Sequence, residues 1–529
     1  MQDTHDAILI GAGHNSLACA AHLAAKGWRV AVYEQADSPG GAVRSGAYTL
    51  PGYRHDWAAM NLSLFAGSAF FREHGEELGR HGLEFAPAAD CFASVFDDGD
   101  WCGVSTDRAA TRARIAALSD KDAATWDRLL ADFPSEAAHI FALLGSPMKK
   151  RAFARFGFNL WRAKGTKGSF DLLGFLLSSP RGWLEQTFEH PKVQAMLAAW
   201  GMHLDFAPDI AGGAVFPYLE AMANQSFGMV LGRGGADTMS NALVAMITAR
   251  GGQVECNAPV ARILREGRRA VGVALADGRE VMARRVVIAN VAPANLGALT
   301  GATDDARFDR GMAKFSHAPG TMMIHLAMDG LPDWTAGKDL QRFAYVHLAP
   351  SLDQMAQTYQ QAKAGQLPSD PVVVVGQPTA IDPSRAPKGK HVLWLQVRMA
   401  PGTILGDAKG EITAKDWPGA AEPFAERALD IVERYAPGTR DKILGRKIVT
   451  PADLEAGNPN LIGGDQLCGS HHLGQHFMFR PLRGHADGTT PIAGLYLTGA
   501  AVWPGAGTGA GPGHLLAQYL AKTISISKY

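Results

Sequence analysis

Gly11, Gly13 and Ser16 fall in the spacing G-x-G-x-x-small, and Glu34 follows at the end of the next apolar run. Glycine at the first position permits a tight turn, and glycine at the second lets a pyrophosphate reach the backbone. An acid at the end of the next strand accepts hydrogen bonds from ribose hydroxyls. The chemistry on offer is dinucleotide binding. His14 and Asn15 lie inside the same loop and join the cofactor candidates. The helix that starts there presents free N–H groups and a positive dipole end to phosphates. Ser16 replaces the usual third glycine and is still small enough for close helix packing.

FAD and NAD share this device, so other residues must separate them. Ser38-Pro39-Gly40-Gly41-Ala42-Val43-Arg44 places a second glycine pair, Gly40 and Gly41, and a cation, Arg44, where an extended cofactor can pass. Far along the chain, Gly499 and the run Gly505 to Gly511 supply further glycines. A helix beginning near Gly509, with Ala510 and Gly511, aims its N-terminus at the pyrimidine end of a flavin and favours the anionic reduced ring. Gly232-x-Gly234-Gly235 has no acidic strand end at the required spacing, so no stable nicotinamide site is expected. FAD is the expected cofactor.

A flavin accepts hydride itself, so no protein nucleophile is needed. A general base helps where the substrate also loses an O–H or N–H proton, and histidine suits neutral pH. His55, His471 and His472 are the catalytic candidates; each also reads as an ordinary packed or hydrogen-bonded histidine. His347 and Arg398, in β-prone runs, are weaker ones.

The elements that position these residues follow from the pattern. Ala7 to Ile10, the glycines and Leu17 to Lys26 read as strand, turn and helix, and Arg29 to Tyr33 completes a βαβ unit. Phe70 to Phe227 reads as mostly helical. The α/β signal returns with a helix over Asp237 to Arg250, β-like runs at Val260 and Val271 to Val273, and a buried strand over Arg285 to Asn290. Runs at Thr321 to Met328 and His391 to Met399 suggest a further sheet that roofs a substrate cavity. The fold class is α/β, a discontinuous Rossmann-type FAD-binding domain plus an α+β substrate domain.

Lys+Arg and Asp+Glu are equal at 51 each, which removes a global electrostatic case for nucleic acid. The five cysteines are scattered with no C-x-x-C pair, so no disulfide framework, redox dithiol or thiolate metal site is suggested, and no metal centre is expected. They read as reduced thiols of a cytoplasmic protein. The start MQDTHDAILIGAG is acidic where an export signal is basic. Lys149, Lys150, Arg151, Arg155, Arg162, Lys164 and Lys167 form a basic run interleaved with Phe153, Phe156, Phe158 and Trp161. Such a segment (149–170) seats a helix on an anionic membrane surface, or else covers a lid whose aromatics face the core.

The segments GAGHNS, YEQADSPGGAVRS, GYRHDWAAMNLSLF, GGADTMSNAL and GLYLTGAAVWPGAGTGAGPG together resemble the phytoene-desaturase-like flavoproteins. Within them, the resemblance is to the pyridine nucleotide-disulfide oxidoreductase domain-containing protein 2 branch. It implies a fold similar to the flavin amine oxidase class. Residues 1–70, 228–300 and 451–529 would form the FAD domain, and 71–227 with 301–450 the substrate domain. Gly11, Gly13, Glu34, Gly40, Gly41 and Arg44 match cofactor positions, Val260 the backbone beside the adenine, and Gly499 with Gly509, Ala510 and Gly511 the flavin end. Two departures, Ser16 and the stretch 463–472 with Cys468 and His471, bear on substrate identity.

Three activities stay open on these residues. One is a desaturase or oxidase removing hydride from an apolar or aromatic small molecule, isoprenoid and carotenoid-like compounds among them. Another is an amine or amino-acid oxidase, for which Lys314 is the position compared with that group's flavin-side lysine. The third is a non-catalytic FAD-bound protein that binds a partner.

Overall fold

The computed structural model describes residues 4–524, so Met1–Asp3 of the stretch read for an export signal and 525–529 of the last FAD segment lie outside it. Five parallel strands form the first sheet, in the order Leu495–Leu497, Glu280–Ala289, Thr4–Ile10, Val30–Tyr33 and Gln253–Glu255. Two antiparallel strands, Val260–Glu266 and Arg269–Leu275, extend it from the first half of Glu280–Ala289. The central strands read as unbroken apolar runs because both faces are covered. Ala7 and Leu9 enter the core shared with the glycine-loop helix His14–Ala25, while Ile8 and Ile10 enter the core on the opposite face.

All five strands point the same way, so their C-terminal ends share one edge. Gly11, Glu34, Asn290 and Thr498 each directly follow one of them. The C-terminal helix Gly511–Thr523 packs along the glycine-loop helix. A methyl on Gly513 would lie 1.9 Å from the Asn15 carbonyl oxygen, so only glycine allows that approach. The C-terminal helix begins at Gly511 rather than Gly509, with Ala510 at its N-cap and Pro512 in its first turn.

The second sheet has seven strands, in the order Ile443–Val449, Gly320–Met328, His391–Ala400, Val372–Gly376, Tyr345–Leu348, Asp90–Val95 and Trp101–Ser105. Its two faces differ in chemistry. Ile324, Leu326, Val346, Val373, Val375, Leu393, Leu395 and Val397 pack against Phe424, Leu429 and Val432 of the helix Trp417–Tyr435. The alternate residues, Met323, Tyr345 and Trp394 among them, share a core with Trp57 and Met60 and with the helices Pro191–Met202 and Val215–Phe227.

The segment from Phe70 to Phe227 is mostly helical, as expected, but it also carries three strands that its sequence did not announce. Phe85–Ala88, Asp90–Val95 and Trp101–Ser105 are strands. Their partners lie far along the chain: Phe85–Ala88 pairs with Met229–Gly232, and Asp90–Val95 with Tyr345–Leu348. Short apolar runs are ambiguous locally, and here remote pairing decides them. The remainder, from Arg108 to Phe227, is helical as expected. Among the described residues no helix is long and apolar enough to cross a membrane. All five cysteines are free thiols.

Candidate functional site

The site is built on the shared strand edge. Gly11 takes φ +87° and donates its N–H to the Tyr33 carbonyl at 2.8 Å, which turns the chain out of the first strand. Gly13 caps the glycine-loop helix, and no side chain covers the N–H groups of its first turn. Such uncovered donors at a helix start form an anion cradle. Gly40 stacks on the same loop, donating its N–H to Ala12 O at 2.8 Å. A Cβ at Gly40 would lie 2.2 Å from Val43 O, and one at Gly41 3.3 Å from Gly13 Cα. The two glycine pairs therefore leave backbone, not side chains, facing the crevice.

Glu34 is buried at the end of the second strand. Its Oε2 accepts from Ala12 N at 2.6 Å and its Oε1 from Ala36 N at 2.9 Å. A carboxylate has about four acceptor directions, so capacity remains for two ribose hydroxyls. Ala258 N donates to Glu34 O at 2.8 Å and Asn257 N to Ala36 O at 2.9 Å, which brings Val260 to the same corner. Arg44 lies with its guanidinium 4.2 Å from the Trp57 ring centre and donates to Gly457 O at 3.3 Å.

At the other end, His14 Nε2 lies 3.1 Å from Gly507 O, tying the first glycine loop to the Gly505–Gly511 loop. Burial lowers its pKa to about 4, and the Gly507 carbonyl opposes that shift only in part. Asn15 Nδ2 reaches His14 Nε2 at 3.1 Å. Gly509 lies against Leu64, and Ala510 is buried at the start of the C-terminal helix.

Asn290 is a site residue that the sequence reading did not single out. A Cβ at Gly499 would lie 2.1 Å from its Oδ1 and a Cβ at Gly13 2.8 Å from its Nδ2, so this side chain fills the gap between two glycine loops. Asn460 Nδ2 holds its carbonyl at 2.9 Å. Its signal was position: it ends a strand on the same edge as Gly11 and Glu34. Asn15 Oδ1, Ser16 Oγ, Arg44 Nε and Thr498 Oγ1 are buried without a protein partner. An uncapped helix start, glycines that a side chain would clash with and these unpartnered polar atoms suit an extended, hydrogen-bonding dinucleotide such as FAD.

The three candidate histidines are not brought together. His55 Nε2 lies 2.8 Å from Thr49 Oγ1, and burial, reinforced by the Arg385 charge, lowers its pKa to about 4. His471 Nε2 accepts from Ala506 N at 3.0 Å, so its lone pair supports the glycine loop. Burial first, then the Arg480 charge, holds it neutral. Arg480 donates to Ser470 O and Ala500 O, both at 2.7 Å, and braces that loop from below. His472 turns the other way, 2.9 Å from Asp205 O and 3.2 Å from the Tyr359 hydroxyl.

Of the weaker candidates, His347 Nε2 lies 3.2 Å from His203 Nε2. Arg398 donates to Met202 O at 2.9 Å and His203 O at 3.0 Å, a cation at the C-terminal end of the helix Pro191–Met202. Lys314 is exposed, which does not suit a lysine enclosed beside a flavin. A further feature was also unread: Arg385, buried, pairs with Asp56 at 2.5 Å and donates to Gly232 O at 2.6 Å.

A Rossmann-type sheet whose strand ends carry two stacked glycine loops and an acid defines an FAD-dependent oxidoreductase acting on a small molecule. The chain belongs to the family of flavin containing amine oxidoreductases, which matches residues 17–400. It is 27% identical to pyridine nucleotide-disulfide oxidoreductase domain-containing protein 2 of Rattus norvegicus, over 96% of this chain and 91% of that one. It is 28% identical to the neurosporene-forming phytoene desaturase of Rhodobacter capsulatus, over 97% of this chain and 93% of that one. Among solved structures, putrescine oxidase bound to putrescine shares the fold with a TM-score of 0.63 at 17% identity, covering 98% of this chain and 99% of that one.

Proposed function

We propose that the chain is a desaturase or oxidase that removes hydride from an apolar or aromatic small molecule, with isoprenoid and carotenoid-like compounds in that class. The observation that carries the reading is the asymmetry of the second sheet. Its outer face is aliphatic, whereas its inner face sets Met323, Tyr345 and Trp394 against Trp57 and Met60. On and beside that inner face, Trp200 Nε1, His347 Nδ1, Trp394 Nε1 and Gln396 Oε1 are buried without a protein partner. An apolar wall with a few free polar atoms binds a mostly apolar molecule and orients it.

In this reading residues 1–70, 228–300 and 451–529 hold the cofactor, and 71–227 with 301–450 hold the substrate. The strand content of the two sheets supports the division. Gly11, Gly13, His14, Asn15, Gly40, Gly41 and Arg44 receive the pyrophosphate, Glu34 and Val260 the adenosine, and Gly499, Gly509, Ala510 and Gly511 the flavin. FAD, when bound, accepts the hydride. The chain's residues bind, orient and exclude water, which replaces a random encounter by a fixed approach. The exposure of Lys314 speaks against the amine oxidase alternative.

The helical segment Lys150–Leu177, kinked at Gly165, rests on an anionic bilayer surface in the same reading. Phe153, Phe158, Trp161 and Phe170 are 44–67% exposed, so these aromatics are not packed inside a lid. Lys150, Arg151, Arg155, Arg162 and Lys167 are exposed with them, and no acid occurs between Glu136 and Asp171. Basic and aromatic residues on two successive helices match an anionic interface and a source of lipid-soluble substrate.

Product analysis tests the activity. Holoenzyme incubated in air with carotenoid-like, phenolic and amine compounds is expected to yield an apolar or aromatic product lighter by two hydrogens. Release of hydrogen peroxide and carbonyl product from amines alone would replace this reading by amine oxidation. No product from any class would favour the non-catalytic alternative.

A further inference from the structure

Three helices bring a second constellation together, on the side of the first sheet that carries the glycine-loop helix. His22 is near the end of that helix, Glu73 and His74 are on the helix Ala69–Arg80, and His514 opens the C-terminal helix. His22 Nδ1 lies 3.0 Å from His74 Nε2 and 3.8 Å from Glu73 Oε2. His74 Nε2 lies 3.8 Å from Glu73 Oε1, and His514 Nε2 3.3 Å from Glu73 Oε2. We propose that His22, Glu73 and His74 bind one divalent first-row metal ion, zinc being the best match to the donors, with His514 bracing the Glu73 carboxylate.

The geometry supports a tetrahedral ion. Metal–nitrogen and metal–oxygen bonds of about 2.0–2.2 Å place ligand atoms about 3.3–3.6 Å apart in a tetrahedron. The observed separations of 3.0–3.8 Å bracket that range, and the donor atoms of His22, Glu73 and His74 all lie within 4.8 Å of one another. The three histidines are 2–6% exposed, and Glu73 alone opens toward solvent. Imidazoles with one carboxylate are borderline ligands that suit zinc better than calcium or magnesium.

One neighbour must adjust when the ion enters. Lys26 Nζ lies 3.1 Å from Glu73 Oε1, and its side chain is 46% exposed, so it can swing outward. Three protein ligands leave the fourth tetrahedral position to a water molecule. The ion clamps the glycine-loop helix to the helix Ala69–Arg80. His22 and His74 stand 52 positions apart in sequence, so no short ligand motif announces them.

The test uses tag-free holoenzyme stripped with a chelator and titrated with Co²⁺, whose tetrahedral ligand-field bands lie to the red of flavin absorption. One tightly bound Co²⁺ per chain with those bands, displaced by Zn²⁺ with a rise in thermal midpoint, is expected. His22→Gln and His74→Gln should each weaken Co²⁺ binding by more than about 100-fold, beyond the roughly 10–100-fold that follows removal of a mere supporting residue, with FAD content as the control for folding. Wild-type protein that gives no tetrahedral bands, or bands equally strong in both variants, would show that the cluster is a hydrogen-bonded network without a metal.

Discussion

At the scale of single residues, Gly513 and the buried histidines carry the sharpest consequences. Gly513→Ala places a methyl 1.9 Å from the Asn15 carbonyl oxygen, so the glycine-loop and C-terminal helices must part. Overpacking of this kind costs about 1–3 kcal/mol. Urea unfolding is expected to show that loss, together with reduced FAD content; an unchanged midpoint would mean that the helices do not meet there. Glu34→Ala removes the acceptor for Ala12 N and Ala36 N and, in the proposed reading, for the ribose. Losing charged hydrogen bonds worth about 1.5–3 kcal/mol weakens FAD binding by about tenfold or more, which isothermal titration of apoprotein measures. The histidines set a pH dependence of stability. Burial lowers His55 to about 4 and His325 and His347 to about 3, whereas an unfolded histidine titrates near ~6.5. As pH falls the unfolded chain takes up these protons first. The stability they contribute is therefore complete above about pH 6.5 and declines toward about pH 4, by up to about 1.4 kcal/mol per pH unit for each histidine. A thermal midpoint that falls between pH 7 and 5 is expected, and a flat profile would contradict neutral buried rings.

At the scale of elements, the ion pair of Arg385 with Asp56 joins the short strand His55–Asp56 to a loop of the second sheet's segment. Both side chains are buried, so Arg385→Met leaves the Asp56 carboxylate unpaired inside the protein, a loss of about 3–5 kcal/mol. Equilibrium unfolding of the variant measures it, and a change below 1 kcal/mol would show that water reaches the pair. The elements also explain what was legible beforehand. Ile8 to Ile10, Val30 to Val32 and Val286 to Ala289 could be read as strands because helices and loops cover both faces of a parallel sheet, which forces continuous apolar runs. Gly11, Gly13, Gly40 and Gly41 were legible because their backbone approaches admit no other residue. Asp90–Val95 was not, since its pairing with Tyr345–Leu348 lies in the tertiary structure. The same holds for Asn290 against Gly499, for Arg385 against Asp56, and for His22 against Glu73 and His74.

At the scale of the whole molecule, one sheet carries the glycine loops along a single edge, the other packs an aromatic face against Trp57 and Met60, and an exposed basic helical segment lies on the outside. If that helix meets a bilayer, the protein co-sediments with vesicles containing anionic lipid. The combined change Arg151→Glu, Arg155→Glu and Arg162→Glu then abolishes binding, because each basic residue near an anionic surface contributes about 1 kcal/mol. Equal retention by the variant would remove the membrane from the account. The central claim concerns what the wall receives, and the visible spectrum of the holoenzyme under anaerobic conditions tests it most directly. Addition of an apolar or aromatic compound is predicted to bleach the flavin bands while polar amines leave them unchanged; bleaching by amines alone would contradict the account.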